Sequence, residues 1–299
     1  MLLQQLIAQG KSEQEVLAAK GDAPDDATVP GGLSPAGAAT SADRFVSMVS
    51  SQLKRQISRP SKNERNHSMQ ARRFLITGGS QGIGAAIVEL ARAAGHEVVF
   101  TGRNEQLIDK VAQKTGAHGL RADVSSGADN ARAVDACRER MGGIDVLVNN
   151  AAYAYRGEIG AMDVDAMRTM FETNVFGLVD ITNRVVPLMK SQASGDIVNI
   201  ASTSGMKGAA TATDYGGSKW AVRGISQCWQ AELRPHGIRV TCVCPSEVQT
   251  NFGGQTGRNN PNKLYAADIG ETIMAALNMP RRALWPELAV FANNPWKEN

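Results

Sequence analysis

The stretch TDYGGSKWAV, residues 213–222, sets a phenol and a primary amine at positions i and i+4, Tyr215 and Lys219. On a helix that spacing puts both side chains on one face. A free phenol has a pKa near 10 and is a poor acid or base at neutral pH. A close ammonium favours the phenolate. A downward shift of about three units, roughly 4 kcal/mol of differential stabilisation, would bring Tyr215 near the working pH, where general acid–base catalysis is most efficient. Alone, a Tyr-x-x-x-Lys pair is a common surface pairing. Ser202, in the preceding segment NIASTSG, changes its weight. A serine hydroxyl at a strand end could hold a carbonyl oxygen beside the tyrosine.

Such a meeting needs a strand, a loop and a helix in the right order, and the chain has them. From Arg72 onward, strand-like runs alternate with helical stretches. RRFLITG, EVVFTGR, HGLRADV, DVLVNNA, DIVNIAS, RVTCVCP and ELAVF read as strands. Helices are predicted near 82–94, 104–114, 128–141, 165–190, 213–234 and 267–278. Strict alternation with strands apolar throughout predicts a parallel sheet covered by helices on both faces, an α/β doubly wound fold. Ligands of such sheets sit beyond the carboxyl ends of the strands.

The strand ends are correspondingly rich. The first runs into TGGSQGIG, Thr77 to Gly84. Gly78 allows a sharp exit, Gly82 a close backbone approach, and Gly84 tight helix–sheet packing, with Ser80, Gln81 and Ile83 between them. The next helix then aims its N-terminus at a pyrophosphate. The second strand ends without the acid that would bind a ribose 2′-hydroxyl; Gly102, Arg103 and Asn104 stand there instead. A guanidinium can pair with a 2′-phosphate, so NADP(H) is favoured over NAD(H), unless Arg103 is only a solvated loop residue. Asp123, at the third strand end, could accept from an adenine amino group or cap the following helix. At the fourth, Asn149 and Asn150 could tie neighbouring strands, and Ala151 and Ala152 would let a flat ring pass. The positive nicotinamide of an oxidised cofactor adds to the lysine's pull on the phenol.

TGGSQGIG, NNAA, NVFG, NIASTSG, YGGSK and CPSEVQT, in this order and spacing, resemble the short-chain dehydrogenase/reductase family, in its compact single-domain branch. The resemblance runs from about Met69 to the C-terminus. It implies a Rossmann-type fold of about seven strands and a tetrad of Asn174, Ser202, Tyr215 and Lys219. Tyr215 is then the acid or base and Ser202 the oxygen positioner. Lys219 lowers the tyrosine pKa and binds the nicotinamide ribose, and Asn174 keeps a water in a relay to Lys219. The same resemblance places Asn150 near the adenosine ribose, Asp123 and Val124 near adenine, and Val248 and Thr250 near the carboxamide, with Ala151 and Pro245 also binding the cofactor. It also implies pairing of the helices near 165–190 and 213–234 between subunits of a homodimer or homotetramer. Two positions depart from the family pattern: Ala152 replaces the glycine of NNAG, and Ser246 that of PG. The second adds a Cβ and puts the loop path beside the nicotinamide in question.

The expected activity is NADP(H)-dependent hydride transfer between nicotinamide and a carbonyl or secondary alcohol. A small or linear ketone or a 3-oxoacyl group fits a cleft lined by Tyr153, Tyr155, Met206 and residues 251–265; a bulky sterol stays open. A dinucleotide-sensing protein without useful turnover is the rival reading. A net charge of +3 is too mild to point to nucleic acid. Cys137, Cys228, Cys242 and Cys244 form no CxxC pair, and the four histidines have no ligand spacing, so no metal site is expected. No apolar run is long enough for a membrane span and no basic leader precedes one, which makes the cytoplasm the default. Residues 1–68 read as an extension of short helices and linker with too little apolar mass for a core of its own. GKSEQEVLAAK and DRFVSMVSSQLKR in it faintly resemble the tail of metallo-β-lactamase-fold hydrolases, but no HxHxDH motif accompanies them. Met69 is expected as an alternative start, and 69–299 as the catalytic domain.

Overall fold

The computed structural model describes residues 71–252 and 260–294. The extension expected over residues 1–68 lies outside them. The main sheet is built from β1 (Arg73–Ile76), β2 (Glu97–Gly102), β3 (His118–Arg121), β4 (Val146–Asn149), β5 (Gly195–Ile200), β6 (Ile238–Pro245) and β9 (Glu287–Val290). Its order is β3-β2-β1-β4-β5-β6-β9, and every neighbouring pair is parallel. The order reverses between β1 and β4, which opens a crevice at the carboxyl ends of those two strands.

Side chains alternate across the strands and so supply two cores. Phe74 and Ile76, Val146 and Val148, Val198 and Ile200 point to one face. There they meet α1 (Gly82–Ala93), α2 (Glu105–Thr115) and α7 (Ala266–Leu277) through Ile87, Ile108, Ile269 and Ile273. Leu75, Leu147 and Ile197 point to the other face. They meet α3 (Gly127–Met141), α5 (Leu178–Gln192) and α6 (Thr213–Leu233). Apolar residues at consecutive strand positions are therefore all buried, as a sheet covered on both sides requires.

Two features differ from the sequence reading. The helix expected over 165–190 is α4 (Val164–Phe171), then a π-helical turn (Glu172–Gly177), then α5. A second, two-stranded parallel sheet pairs β7 (Val248–Gln249) with β8 (Leu264–Tyr265). It pairs the residues just before the segment 251–265, expected to line the cleft, with that segment's end; residues 253–259 lie outside those described. Three of the cysteines are buried, and Cys228, on α6, is exposed. Among the described residues no helix is long and apolar enough to cross a membrane.

Candidate active site

A cleft of about 860 Å³ opens at the crevice between β1 and β4 and runs along the carboxyl edge of the sheet. Its walls bring together Gly78, Ser80, Gln81, Gly82 and Ile83 after β1; Arg103 and Asn104 after β2; and Asp123 and Val124 after β3. They continue with Asn150 and Ala151 after β4, Ser202 after β5, Tyr215 and Lys219 on α6, and Pro245, Val248 and Thr250 after β6. Gly84 and Asn174 are not in the wall; both act from behind it.

The glycine loop suits a close anionic guest. Gln81 is extended at the start of α1 and its side chain makes no capping hydrogen bond, which leaves the first-turn N–H groups to the cleft. A Cβ on Gly84 would meet the Gly78 carbonyl oxygen at 2.2 Å, so only glycine lets α1 start this close to the loop. Asn150 fixes the loop from the side, donating to the carbonyls of Thr77 at 3.0 Å and Gly78 at 2.9 Å. Asn149, expected to do likewise, instead donates to Thr182 and Asn199 side chains. These residues fit the pyrophosphate and ribose of a dinucleotide.

The adenosine end holds both signs of charge. Arg103 is largely exposed, its Nη1 3.8 Å from Asp123 Oδ2. Asp123 Oδ1 accepts from the backbone and hydroxyl of Ser125; the cap of α3 is Ser126 rather than Asp123. Asn104 caps α2 through its side-chain oxygen, which accepts from Leu107 N at 3.1 Å.

At the other end lie the tyrosine, the serine and the lysine. Gly205, in the short turn Thr203–Gly205, lies against the α6 backbone at Lys219; a Cβ there would meet the Lys219 carbonyl at 2.6 Å. That contact brings the end of β5 onto the helix and sets Ser202 close enough to Tyr215 to pull its phenol down. Lys219 is buried; its Nζ donates to the Ile200 carbonyl at 2.8 Å and lies 5.7 Å from the centre of the Tyr215 ring. Desolvation pulls the lysine down to about 8, against a small opposing influence of the Cys242 and Cys244 thiols.

The phenol corrects the sequence expectation for the protein by itself. Burial pushes Tyr215 up, and this outweighs the lowering by Ser202 and by Arg156. The lysine's charge is not among the influences that move it.

Asn174 sits in the π-turn, buried. Its oxygen accepts from Tyr153 N at 3.0 Å, and its amide donates to Tyr153 O at 2.9 Å and to Ser218 Oγ at 3.2 Å. It thus ties the loop after β4 to α6. Tyr153, Tyr155 and Met206, expected along the cleft, are not in its wall: the Tyr155 hydroxyl accepts from Asp163 N and Met206 packs against an apolar cluster. Arg156 is there in their place, and of the segment 251–265 expected there Asn251 and Phe252 are in the wall, Phe252 with its ring 5.8 Å from that of Tyr215. Nothing in the sequence marked Arg156 beyond its being a lone base after NNAA. Ser246 raises no strain: among the described residues outside glycine only Ala193 and Thr211 have positive φ, and Ser246 N donates to Val290 O at 2.8 Å.

Residues 72–261 match the family model described as short chain dehydrogenase. The chain belongs to the short-chain dehydrogenase/reductase family. An uncharacterized oxidoreductase of Staphylococcus saprophyticus subsp. saprophyticus is 35% identical over 228 residues, 74% of this chain and 97% of that relative. A short-chain dehydrogenase of Streptomyces avermitilis superposes with a TM-score of 0.68 at 30% identity, covering 74% of this chain and 89% of that one. The closed form of serine dehydrogenase complexed with NADP+ gives 0.69 at 29%, covering 73% and 93%. The chain is thus an oxidoreductase with a dinucleotide-binding fold, from a family that uses nicotinamide dinucleotides on small-molecule substrates.

Proposed function

We propose that this oxidoreductase interconverts a carbonyl and a secondary alcohol with NADP(H), using Tyr215 as general acid and base. The observation that carries the reading is that Ser202, Tyr215 and Lys219 share the wall at one end of a cleft whose other end is the glycine loop. When bound, the nicotinamide supplies or accepts the hydride. Ser202 and Tyr215 together hold the substrate oxygen, and Tyr215 gives it a proton in reduction and removes one in oxidation. A phenol pushed up by burial is protonated at neutral pH, which suits it to the donor role. Lys219 carries positive charge below about pH 8 and faces the cleft, where it can hold ribose hydroxyls. Asn174 positions Tyr153 and Ser218, and a water held there would pass protons towards Lys219. Val248 and Thr250 take the carboxamide end and Asn150 and Ala151 the adenosine ribose.

The preference for the 2′-phosphorylated cofactor rests on the end of β2. An added side chain at Gly102 would start 2.6 Å from Ser80 Oγ, so the position where an acid could repel the phosphate is closed. Arg103 stands next to it in the cleft wall. The serine dehydrogenase neighbour, complexed with NADP+, is consistent with this choice. The reading extends to a homo-oligomer: Phe176 and Trp220, on the two segments expected to pair, are 56% and 46% exposed. Light scattering on the eluting protein reads the assembly directly.

The test of the chemistry is NADPH oxidation across a panel of ketones, aldehydes and 3-oxoacyl esters with the full chain and with Tyr215→Phe. Turnover by the wild type and loss of about 10³-fold or more in the variant is expected. A variant that keeps most of the turnover removes Tyr215 from the chemistry, and dinucleotide binding without any turnover makes the chain a sensor.

A further inference from the structure

Arg156 lies on the loop leaving β4, in the wall of the cleft, with its Cζ 5.6 Å from the centre of the Tyr215 ring. Among the described residues its guanidinium makes no hydrogen bond or ion pair. That is unlike Arg73, Arg184 and Arg223, each forked onto a carboxylate. A guanidinium presents five donors in a rigid fork that matches a carboxylate.

The loop under Arg156 is fixed on both sides. Tyr153 exchanges two hydrogen bonds with Asn174, Tyr155 N donates to Met170 Sδ at 3.4 Å, and Gly157 N donates to Asp214 Oδ2 at 2.7 Å. Asp214 is fully buried, and its other oxygen accepts from Tyr215 N. Asp214 is therefore spent on backbone N–H groups that aim the loop. The acids of the cleft wall are engaged elsewhere: Glu89 with Lys114, Glu247 with Lys263, and Asp123 at the far end with Ser125. Among the described residues a positive charge without an ion pair thus stands beside Ser202 and Tyr215, on a loop held in place.

We propose that Arg156 is a specificity-determining residue that binds a carboxylate of the substrate, so that the reaction interconverts a short oxo acid and its hydroxy acid. This rests on the oxidoreductase reading above. In reduction the carbonyl carbon gains a hydride with its electron pair from the reduced cofactor. The C=O π pair becomes a lone pair on oxygen, and that oxygen takes the Tyr215 proton. The carboxylate, paired with Arg156, keeps its charge throughout. With guanidinium and phenol this close, at most one carbon lies between the carboxyl carbon and the carbonyl carbon, as in 2-oxo and 3-oxo acids.

The experiment compares matched pairs, pyruvate with methyl pyruvate and acetoacetate with methyl acetoacetate, alongside a neutral ketone, using the full chain and NADPH. The acid of at least one pair is expected to have the higher kcat/KM. Arg156→Gln is expected to lower that value about 30-fold, the size of a charge-assisted hydrogen-bond pair, while ester and neutral-ketone turnover stay within about threefold; Arg156→Lys recovers part of the loss. The neutral arm also reads any influence of Arg156 on the phenol, since that would slow every substrate alike. Calorimetric titration of the acids into Tyr215→Phe with NADPH, with and without Arg156→Gln, reads binding without turnover. Esters used as well as acids, or equal loss on all substrates in Arg156→Gln, overturns the carboxylate site and leaves the carbonyl chemistry standing. Absence of turnover on every carbonyl strikes the underlying reading instead, and absence of acid binding then removes the site as well.

Discussion

Lys219 donates to the Ile200 carbonyl at 2.8 Å from a position closed to bulk water. The amine is held where the cleft needs it and at a cost in stability. Its folded pKa is about 8 against 10.5 for the free side chain. Between those values the unfolded chain binds a proton that the folded chain has released, so stability rises with pH across that window. Below about pH 8 both states carry the ammonium and the penalty is full, about 3 kcal/mol. Lys219→Met removes the penalty and loses one hydrogen bond worth about 1 kcal/mol. The variant is expected to be inactive yet about 1–2 kcal/mol more stable at pH 7, with the gain shrinking towards pH 10. Urea unfolding of both proteins from pH 6 to 10 measures this; a stability difference that does not change with pH speaks against a depressed lysine.

Arg103 is two-thirds exposed and 3.8 Å from Asp123, too loose a pair to be holding the fold. Its substitution is therefore expected to show in cofactor choice. In Arg103→Ala, kcat/KM for NADPH falls about 30-fold while that for NADH stays within about threefold. Equal loss with both cofactors, read from initial rates at a fixed carbonyl concentration, takes the 2′-phosphate away from Arg103.

Gly84 meets backbone, which cannot step aside. A methyl there would sit 2.2 Å from the Gly78 oxygen and 2.9 Å from its carbon. Gly84→Ala must push α1 off the loop, with a loss of about 2 kcal/mol of stability and of the register between the first-turn N–H groups and the cleft. Fluorescence titration is expected to show NADPH binding weakened more than tenfold. Full-affinity binding by a stably folded Gly84→Ala protein means that the helix N-terminus is not where the dinucleotide sits.

The parallel sheet was legible because its strands are buried on both faces, and a run such as VLVN before NNAA has few other uses. The ends of those strands were legible for the same reason, since loops after β1, β2, β5 and β6 carry the residues that face the crevice. Other features depend on contacts between distant segments. The π-turn at Glu172–Gly177 is invisible to periodicity, because one extra residue per turn leaves TNVFG looking helical. The phenol's upward shift depends on how deeply Tyr215 is packed. Arg156 was silent in sequence, since a lone arginine in a loop acquires meaning only when no acid is found to pair with it. Tyr155 and Met206 have the composition of cleft residues and are drawn instead into local hydrogen bonding and packing.

At the amino edge of the sheet, away from the cleft, the buried Asp196 gathers three arginines. Arg239 Nε meets Oδ1 at 2.6 Å, Arg281 Nη1 meets Oδ2 at 2.8 Å, and Arg72 bonds to Oδ2 as well. The same guanidiniums reach the carbonyls of Leu277, Met279 and Ala283, so one carboxylate fixes the chain between α7 and β9. Asp196→Asn leaves buried Arg239 without its counter-charge, and removal of one partner of a buried pair costs about 3–5 kcal/mol. Urea unfolding is expected to show a loss of that size. The protein that remains folded is expected to keep kcat/KM within about twofold, because β5 reaches the site through Ser202 at its opposite end. A variant of unchanged stability makes the cluster a surface feature. One that stays stable but loses activity means that the amino edge and the cleft are coupled through β5.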